Sequence, residues 1–203
     1  MTWLVVSLIG CLQFGCDVGR DTSSGIPAGQ HSSKHLAVIE VADLNGTRLD
    51  IFPREHAATV FLFARTDCPI SNRYAPTVRE LEQAFSIRDV AFYMVYIDPT
   101  QSPEEIKAHQ QAYRYPCSAV RDDTHQLVQQ MGVRVTPEAA VLDRSGRLVY
   151  RGRIDDRFVD FGKTRQVPTR NDLQIAIQEV LAGRAVQVPA TKAIGCFIAD
   201  LKR

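Results

Sequence analysis

One cysteine of this sequence stands where a thiol becomes reactive. Residues 58–64 form an apolar run that is typical of a buried strand, and a short polar turn then leads to Cys68 and Pro69. The residues that follow predict a helix, whose first turn suits proline because that residue has no N–H to leave unpaired. The unpaired N–H groups and the positive end of the helix dipole favour a thiolate, so we expect the pKa of Cys68 to lie below the free value of about 8.5. Cys68 is therefore the candidate nucleophile.

The chemistry open to this thiolate requires a second thiol. Attack on a disulfide leaves a mixed disulfide and attack on a peroxide leaves a sulfenic acid, and another thiol must resolve either product. Cys196, which follows Gly195, is the candidate resolving residue; the alternative is a small apolar residue that packs the C-terminal tail onto the domain. Cys117 follows Pro116 at the edge of a short predicted strand and is interpreted as a buried structural thiol, with a resolving role as the alternative. An external thiol reductant is a further alternative.

Polar neighbours of Cys68 could tune its pKa. Arg65 and Asp67 would act in opposite directions, because a cation lowers the pKa of a thiol and a carboxylate raises it. Ser71, three residues after Cys68, can donate a hydrogen bond from its hydroxyl to the thiolate.

Other ionisable residues indicate no second site. The five histidines are scattered, and none stands beside Cys68 in the sequence. Three acidic residues are interpreted as members of solvated loops rather than as an acid–base pair: Glu138, Asp155 and Asp156. We therefore predict no metal site and no cofactor.

Length, composition and charge limit the kinds of protein that the chain can be. The chain has 203 residues, of which 45% are hydrophobic and 23% charged, and this is enough material for one well-packed domain with extensions. A formal net charge of +1, with no long basic run, gives no support to a nucleic-acid partner.

The first residues predict export. Residues 3–9 are apolar but too few to span a bilayer, which suits the central segment of an export signal. Leu8-Ile9-Gly10-Cys11 resembles the bacterial lipobox, in which the cysteine becomes lipidated, and Cys16 is a poorer second candidate. We predict a signal over residues 1–16, a flexible tether over 17–33, and a location in the periplasm or cell envelope, with the membrane contacted only through a lipid on Cys11. Disulfides persist in that compartment.

The order of predicted elements indicates an α/β protein. Asn45-Gly46 is the commonest two-residue hairpin signal and predicts an N-terminal β-hairpin. Further strands are predicted at residues 58–64, 90–97, 118–120, 139–143 and 147–151. Helices between and after them are predicted to bury Val78, Leu81, Phe85, Leu127, Val128, Met131, Leu173, Ile177, Val180 and Leu181. This alternation, closed by a hairpin and a helix, favours a central mixed sheet flanked by helices on both faces.

Local signals also predict helix boundaries. Ser102 with Glu105 predicts a capping box, and Thr169 with Asp172 resembles a second one. Pro76 is expected to kink the helix that follows Cys68. Asp123 or Thr124 is predicted to cap the helix that ends at Gly132.

Several ordered motifs together resemble the thioredoxin fold, and more narrowly its redoxin branch, the alkyl hydroperoxide reductase/thiol-specific antioxidant group of peroxiredoxin-like proteins. The matching segments are Asp43-Leu44-Asn45-Gly46, Cys68-Pro69-Ile70-Ser71-Asn72, Gly132-Val133-Arg134-Val135-Thr136-Pro137-Glu138, Leu142-Asp143-Arg144-Ser145-Gly146 and Tyr150-Arg151-Gly152-Arg153. The resemblance implies a domain over residues 34–183, with a tail over 184–203 that carries Cys196. It also implies a cis Pro137 and a backbone at Val135 and Thr136 that hydrogen-bonds an extended substrate strand.

The chain departs from the patterns of these families at the site. Thioredoxins carry a second cysteine where this chain has Ser71, so no disulfide can form within the motif. Peroxiredoxins carry a threonine or serine three residues before the reactive cysteine and a proline seven before it, and those places are Arg65 and Phe61 here, with Thr66 displaced by one. Their activating arginine has no clear counterpart. Related copper chaperones bind metal through a second cysteine where this chain has Asn72.

Two hypotheses follow. The first is an exported thiol-disulfide oxidoreductase in which Cys68 acts on disulfides or peroxides, with Ser71 and Thr66 beside it and an external thiol as reductant. Its substrate would contact Val135, Thr136 and Pro137. The second is a non-catalytic module that uses the groove at Pro137 to bind a partner protein of the cell envelope.

Overall fold

The computed structural model describes residues 40–50 and 55–198. The predicted signal, the tether, Cys11 and Cys16 lie outside the described residues, and the proposed division of the chain at residues 33 and 183 stays a prediction. No helix in the described part is long and apolar enough to cross a bilayer.

A seven-stranded mixed sheet forms the centre of the fold. The strands of the chain are β1 (Glu40–Asp43), β2 (Arg48–Asp50), β3 (Ala58–Ala64), β4 (Val90–Tyr96), β5 (Ser118–Arg121), β6 (Val135–Thr136), β7 (Glu138–Asp143), β8 (Leu148–Gly152), β9 (Phe158–Asp160), β10 (Lys163–Thr164) and β11 (Cys196–Phe197). The sheet has the order β2-β1-β5-β4-β3-β7-β8, and β9 with β10 and β6 with β11 form separate pairs. β3, β4 and β5 are parallel, while β1, β2, β7 and β8 add antiparallel pairs. The predicted mixed sheet and N-terminal hairpin are confirmed.

The helices cover both faces of the sheet, as predicted. They are α1 (Pro69–Arg73), α2 (Ala75–Phe85), α3 (Pro103–Tyr113), α4 (Gln126–Met131) and α5 (Asp172–Leu181), with a short 3-10 helix at Ser86–Arg88. β3 is buried along its whole length, and its side chains alternate between two apolar clusters. Val60 and Leu62 share one cluster with α2, α3 and α5, whereas Phe61 and Phe63 share the other with α4. β3 is therefore fixed from both sides, and it delivers a rigid C-terminal end to the turn that carries Cys68.

The helix after Cys68 is broken rather than kinked. α1 ends at Arg73 and α2 begins at Ala75, with Tyr74 between them. Pro76 lies in the first turn of α2, where its missing N–H costs no hydrogen bond. The predicted kink is thus replaced by the end of one helix and the start of another.

The capping predictions succeed once and fail twice. The Ser102 hydroxyl accepts from the Glu105 N–H and the Glu105 carboxylate accepts from the Ser102 N–H, so the capping box at α3 is confirmed. The prediction of Asp123 or Thr124 as the cap of α4 is wrong. α4 begins after His125, and the carboxylate of Asp122 accepts from the Val128 N–H instead.

The second predicted capping box, from Thr169 and Asp172, is also wrong. The Thr169 hydroxyl and N–H donate to the carboxylate of Asp156, and Asp172 forms ion pairs with Arg153 and Arg170. Charged side chains, of which Asp156 and Arg153 are distant in the sequence, therefore bind both residues in place of the backbone N–H groups at the helix start.

Three acids predicted to be solvated are buried. Glu138 accepts from the Arg134 N–H, Asp155 accepts from the Tyr74 hydroxyl, and Asp156 accepts from Thr169. The correction has a common cause, because each carboxylate finds donors that replace water.

The segment after α5 folds back onto the domain. The Arg151 N–H donates to the Pro189 carbonyl, and the Thr191 N–H donates to the Arg151 carbonyl. Farther on, β11 pairs antiparallel with β6, so that Cys196 lies opposite Thr136.

The capping box allows a test of the fold. Ser102→Ala removes the acceptor of the Glu105 N–H, and we expect the free energy of unfolding to fall by about 1 kcal/mol. Urea denaturation followed by circular dichroism measures this change. Ser86→Ala, at an exposed serine after α2, is the control and should change stability by less than about 0.5 kcal/mol; equal effects of the two substitutions would contradict the assigned cap.

Candidate active site

Cys68 lies between the C-terminal end of β3 and the first turn of α1. It occupies the N-cap position with an extended backbone, and Pro69 begins the helix. Its side chain is only 1% exposed, and its Sγ donates to the Thr136 carbonyl oxygen at 3.1 Å. The sulfur is therefore enclosed and aimed at the loop that contains Pro137.

A second sulfur lies beside it. Pairing of β11 with β6 places the Sγ atom of Cys196 2.7 Å from the Sγ atom of Cys68. Both residues are free thiols, and a disulfide bond of about 2.05 Å requires a movement of less than about 1 Å. The structure thus brings together two cysteines that are 128 residues apart in the chain.

Two buried hydroxyls near Cys68 can donate hydrogen bonds to a thiolate. Ser71 Oγ and Thr136 Oγ1 have no hydrogen-bond partner among the described residues. Burial alone would raise the pKa of Cys68, but the thiol of Cys196, the hydroxyl and backbone N–H of Ser71 and the hydroxyl of Thr136 lie close enough to favour the charged sulfur, and together they lower the pKa below its ordinary value. Unpaired buried hydroxyls are costly. A thiolate at Cys68 would give both of them an acceptor, in exchange for the hydrogen bond from Cys68 Sγ to the Thr136 carbonyl.

The pKa values of Cys68 and Cys196 are shifted in opposite directions. Burial, together with the hydrogen bond to Cys68 and the charge of its thiolate, raises the pKa of Cys196 to about 12. Asp67 raises the pKa of Cys196 further and Arg65 lowers it; Arg65 also pairs with Asp98 at 2.7 Å. The surroundings therefore make Cys68 the more acidic of the two thiols.

Thr66 supports the loop. Its hydroxyl accepts from Gln101 Nε2 at 2.7 Å, and its carbonyl accepts from Asn72 Nδ2 at 3.0 Å. These contacts hold the turn between β3 and α1, whereas the donors that lower the pKa of Cys68 come from other residues.

Sequence reasoning missed the histidine that continues this network. His109 Nε2 lies 2.8 Å from Asn72 Oδ1, and His109 Nδ1 lies 2.9 Å from the Tyr96 hydroxyl. Burial lowers the pKa of His109, so the ring is neutral and has one N–H. Because Asn72 Oδ1 can only accept, that N–H is on Nε2, and Tyr96 donates to Nδ1. The spacing of Asn72 and His109 gave no signal, since they meet only when α3 packs against α1.

The loop at Pro137 differs from the expectation in one respect. The Thr136–Pro137 peptide bond is cis, as the resemblance implies. Val135 and Thr136 do not present an exposed backbone, because β11 pairs with them and both residues are buried. The predicted edge for a substrate strand is therefore covered by the chain itself.

A buried acid clamps this loop. Glu138 Oε2 accepts from the backbone N–H groups of Arg134 and Val135, and Arg151 lies 3.6 Å from Glu138 Oε1. Burial raises the pKa of Glu138, while these donors and Arg151 oppose the rise. Arg151 also donates to the Gly132 carbonyl oxygen, so both ends of the loop are tied to one ion pair.

Comparison with known proteins identifies the family. The AhpC/TSA family matches residues 35–151, which is more than half of the chain. The chain belongs to the AhpC/TSA family. No curated protein matches it.

Solved structures share the fold of this AhpC/TSA protein. A hypothetical protein from Sinorhizobium meliloti 1021 has a TM-score of 0.71 at 24% identity, over 82% of this chain and 92% of its own. An uncharacterized conserved protein from Geobacillus kaustophilus has a TM-score of 0.70 at 24% identity, over 82% and 90%. The thioredoxin domain of a thiol-disulfide oxidoreductase from Bacteroides vulgatus has a TM-score of 0.52 at 17% identity, over 59% and 86%. The predicted thioredoxin-like fold and redoxin branch are confirmed.

Two further questions about this AhpC/TSA protein concern the third described cysteine, Cys117, and metal binding. Cys117 is buried in the apolar cluster beneath α2, and burial raises its pKa to about 12, which makes it a poor nucleophile. No group of three or more His, Cys, Asp or Glu side chains within residues 40–50 and 55–198 could hold a metal ion.

The hydroxyl of Ser71 gives a direct test of the electrostatics. Ser71→Ala removes one donor to the Cys68 thiolate, so the pKa of Cys68 should rise and its alkylation by iodoacetamide should require a higher pH. The rate of Cys68 alkylation across a pH series, read by mass spectrometry, measures this shift. Ser118→Ala, at an exposed serine in β5, should leave the profile unchanged; an unchanged profile in Ser71→Ala would exclude this donor.

Proposed function

We propose that this protein is a thiol oxidoreductase in which Cys68 is the nucleophile and Cys196 resolves the intermediate. The observation that carries this proposal is the 2.7 Å separation of the two sulfurs, together with the lowered pKa of Cys68 and the raised pKa of Cys196. Membership in the AhpC/TSA family supports thiol-dependent redox chemistry. Disulfides and peroxides are the two substrate classes open to such a thiolate.

The first step oxidises Cys68. With a disulfide, the thiolate attacks one sulfur, the S–S bond of the substrate breaks, and one substrate thiolate leaves. With a peroxide, the thiolate attacks one oxygen, the O–O bond breaks, and an alcohol or water leaves after protonation while Cys68 becomes a sulfenic acid. The Ser71 and Thr136 hydroxyls stabilise the attacking charge in both cases.

The second step uses Cys196. Its thiol loses a proton and attacks the Cys68 sulfur, which forms the Cys68–Cys196 disulfide and releases the second substrate thiolate or water. Two of the causes that raise the pKa of Cys196, the hydrogen bond to Cys68 and the charge of Cys68, disappear once Cys68 is oxidised. Cys196 is thus activated by the product of the first step. An external thiol reductant then returns both cysteines to thiols by two exchange reactions.

The alternative, a module that binds a partner without turnover, expects an unperturbed thiol at Cys68. The lowered pKa of Cys68 and the unpaired hydroxyls of Ser71 and Thr136 favour the oxidoreductase.

Mass spectrometry tests the proposal. After brief exposure to hydrogen peroxide or to oxidised glutathione and alkylation of remaining thiols, we expect a peptide pair joined through Cys68 and Cys196. Cys196→Ser should instead accumulate a sulfenic acid or a glutathione adduct on Cys68, and Cys117→Ser should behave as the parent. The proposal would be refuted if Cys68 of the parent protein remained a free thiol after both oxidants and was therefore recovered in its alkylated form.

We extend the proposal to export with a lipid anchor, on the basis of Leu8-Ile9-Gly10-Cys11. When the full chain is expressed in a bacterial host with labelled palmitate, the protein should carry the label and sediment with membranes. Cys11→Ser should abolish both properties, and Cys16→Ser should keep them. Label retained in Cys11→Ser and lost in Cys16→Ser would move the anchor to Cys16.

A further inference from the structure

The backbone edge of Val135 and Thr136 is occupied by the chain's own residues 195–198. The resemblance to the thioredoxin fold implies that this edge is a groove that binds an extended substrate strand. We infer that it selects segments of the pattern Gly-Cys-x-aliphatic, that residues 195–198 are its resident ligand, and that its external partner is a protein whose disulfide-bonded cysteine lies in such a segment. The reactive part of the inference rests on the proposed role of Cys68, whereas the binding part does not.

The first position of the pattern requires glycine. A Cβ atom on Gly195 would overlap the carbonyl oxygen of Thr136 and lie 2.7 Å from its carbonyl carbon. These are backbone atoms next to Pro137, in a loop that the Glu138 clamp holds, so they cannot move aside easily. Gly195 has no positive φ, which means that space and not backbone conformation excludes other residues.

The second position delivers the sulfur. Cys196 is paired with Thr136, and this register brings its Sγ to 2.7 Å from the Sγ of Cys68. A cysteine one residue earlier or later would point to the other face of the strand. The groove therefore fixes which residue of a bound peptide reacts.

The next two positions differ sharply in burial. The side chain of Phe197 is 71% exposed, so the third position tolerates many residues. Ile198 is buried in the apolar cluster that contains Leu127 and Met131, and its N–H donates to the Arg134 carbonyl. The fourth position therefore selects an aliphatic side chain, and a charged one there would be buried without a partner.

A partner segment has to displace residues 195–198, because one strand edge binds one strand. The exchange that follows is balanced. The Cys68 thiolate attacks the cysteine sulfur of the partner, the partner's S–S bond breaks, and its other sulfur leaves as a thiolate. One disulfide is consumed and one mixed disulfide is formed, with no further oxidant or reductant.

The test uses the full chain with Cys11, Cys16, Cys117 and Cys196 changed to Ser, so that Cys68 is the one thiol. Gly195→Ala is added to displace residues 195–198 from the edge through the clash with Thr136; chains so changed are called unseated. Ile198→Asp is made separately to displace the same segment by burying a charge. Lys192→Ala, at an exposed residue of the same segment, is the matched control. The probe is the peptide Ala-Ile-Gly-Cys-Phe-Ile-Ala with its cysteine joined to thionitrobenzoate, whose release is read by absorbance.

We expect the probe to react at least about tenfold faster with the Gly195→Ala and Ile198→Asp chains than with the parent or Lys192→Ala. Within the unseated chains, probes with alanine for glycine or aspartate for isoleucine should react at least about tenfold more slowly, because a clash or a buried charge opposes binding. Rates that do not depend on the probe sequence would overturn the inference.

A binding measurement separates this inference from the proposed function. A fluorescein-labelled peptide with serine for cysteine should bind the unseated chains with the same sequence preference, as read by anisotropy. Preference in binding, with no reaction of Cys68 toward any probe or toward free dithiobis(nitrobenzoate), would refute the proposed function and keep the groove. Reaction with the small disulfide, without peptide binding in either unseated chain, would refute the groove alone.

Discussion

The pairing of two short strands, β6 and β11, determines the chemistry of this site. It is only two residues long, yet it places Cys196 against Cys68 and closes the loop at Pro137. So short a pair would not persist alone, and contacts on either side hold it. Thr191 is anchored to Tyr150 and Arg153 before it, and Ile198 is packed into the core after it. The C-terminal segment is therefore anchored to the domain on both sides of Cys196.

The position of the second thiol explains the electrostatic asymmetry. A cysteine at position 71 would lie on α1 and share its dipole with Cys68, but this chain has a serine there and carries the second thiol on β11 instead. The serine hydroxyl and Cys196 can both donate to the Cys68 sulfur, so the charge is concentrated on one atom. Charge on Cys68 in turn suppresses ionisation of Cys196. In the proposed mechanism, the same hydrogen bond thus distinguishes the thiol that attacks first from the thiol that attacks second.

Signals that act within one element were readable from the sequence, and those that depend on distant partners were not. The apolar run of β3, the hairpin at Asn45 and the capping box of Ser102 are local, and each is confirmed. The caps of α4 and α5 were mispredicted because Asp122 and Asp156 accept hydrogen bonds from residues that no local pattern connects to them. At the site, the sequence singled out both cysteines, Ser71 and the Pro137 loop from motifs. It missed the His109 network and the Glu138 clamp, which exist only after helices and strands have packed.

The two roles of the C-terminal segment are inseparable. Cys196 can reach Cys68 only from the strand that pairs with Thr136, and that strand covers the same edge on which an extended partner would lie. The proposed partner would therefore compete with the segment that carries Cys196 for one row of backbone groups. Small oxidants meet no such competition for the strand edge, although they too must reach a sulfur that is almost fully enclosed. Because Gly195 fits against Thr136 with no room for a side chain, the strength of this competition is set chiefly by one glycine and one buried isoleucine. A chain that carries its second thiol in this way places that thiol beside the first and covers the strand edge before Pro137 with its own backbone.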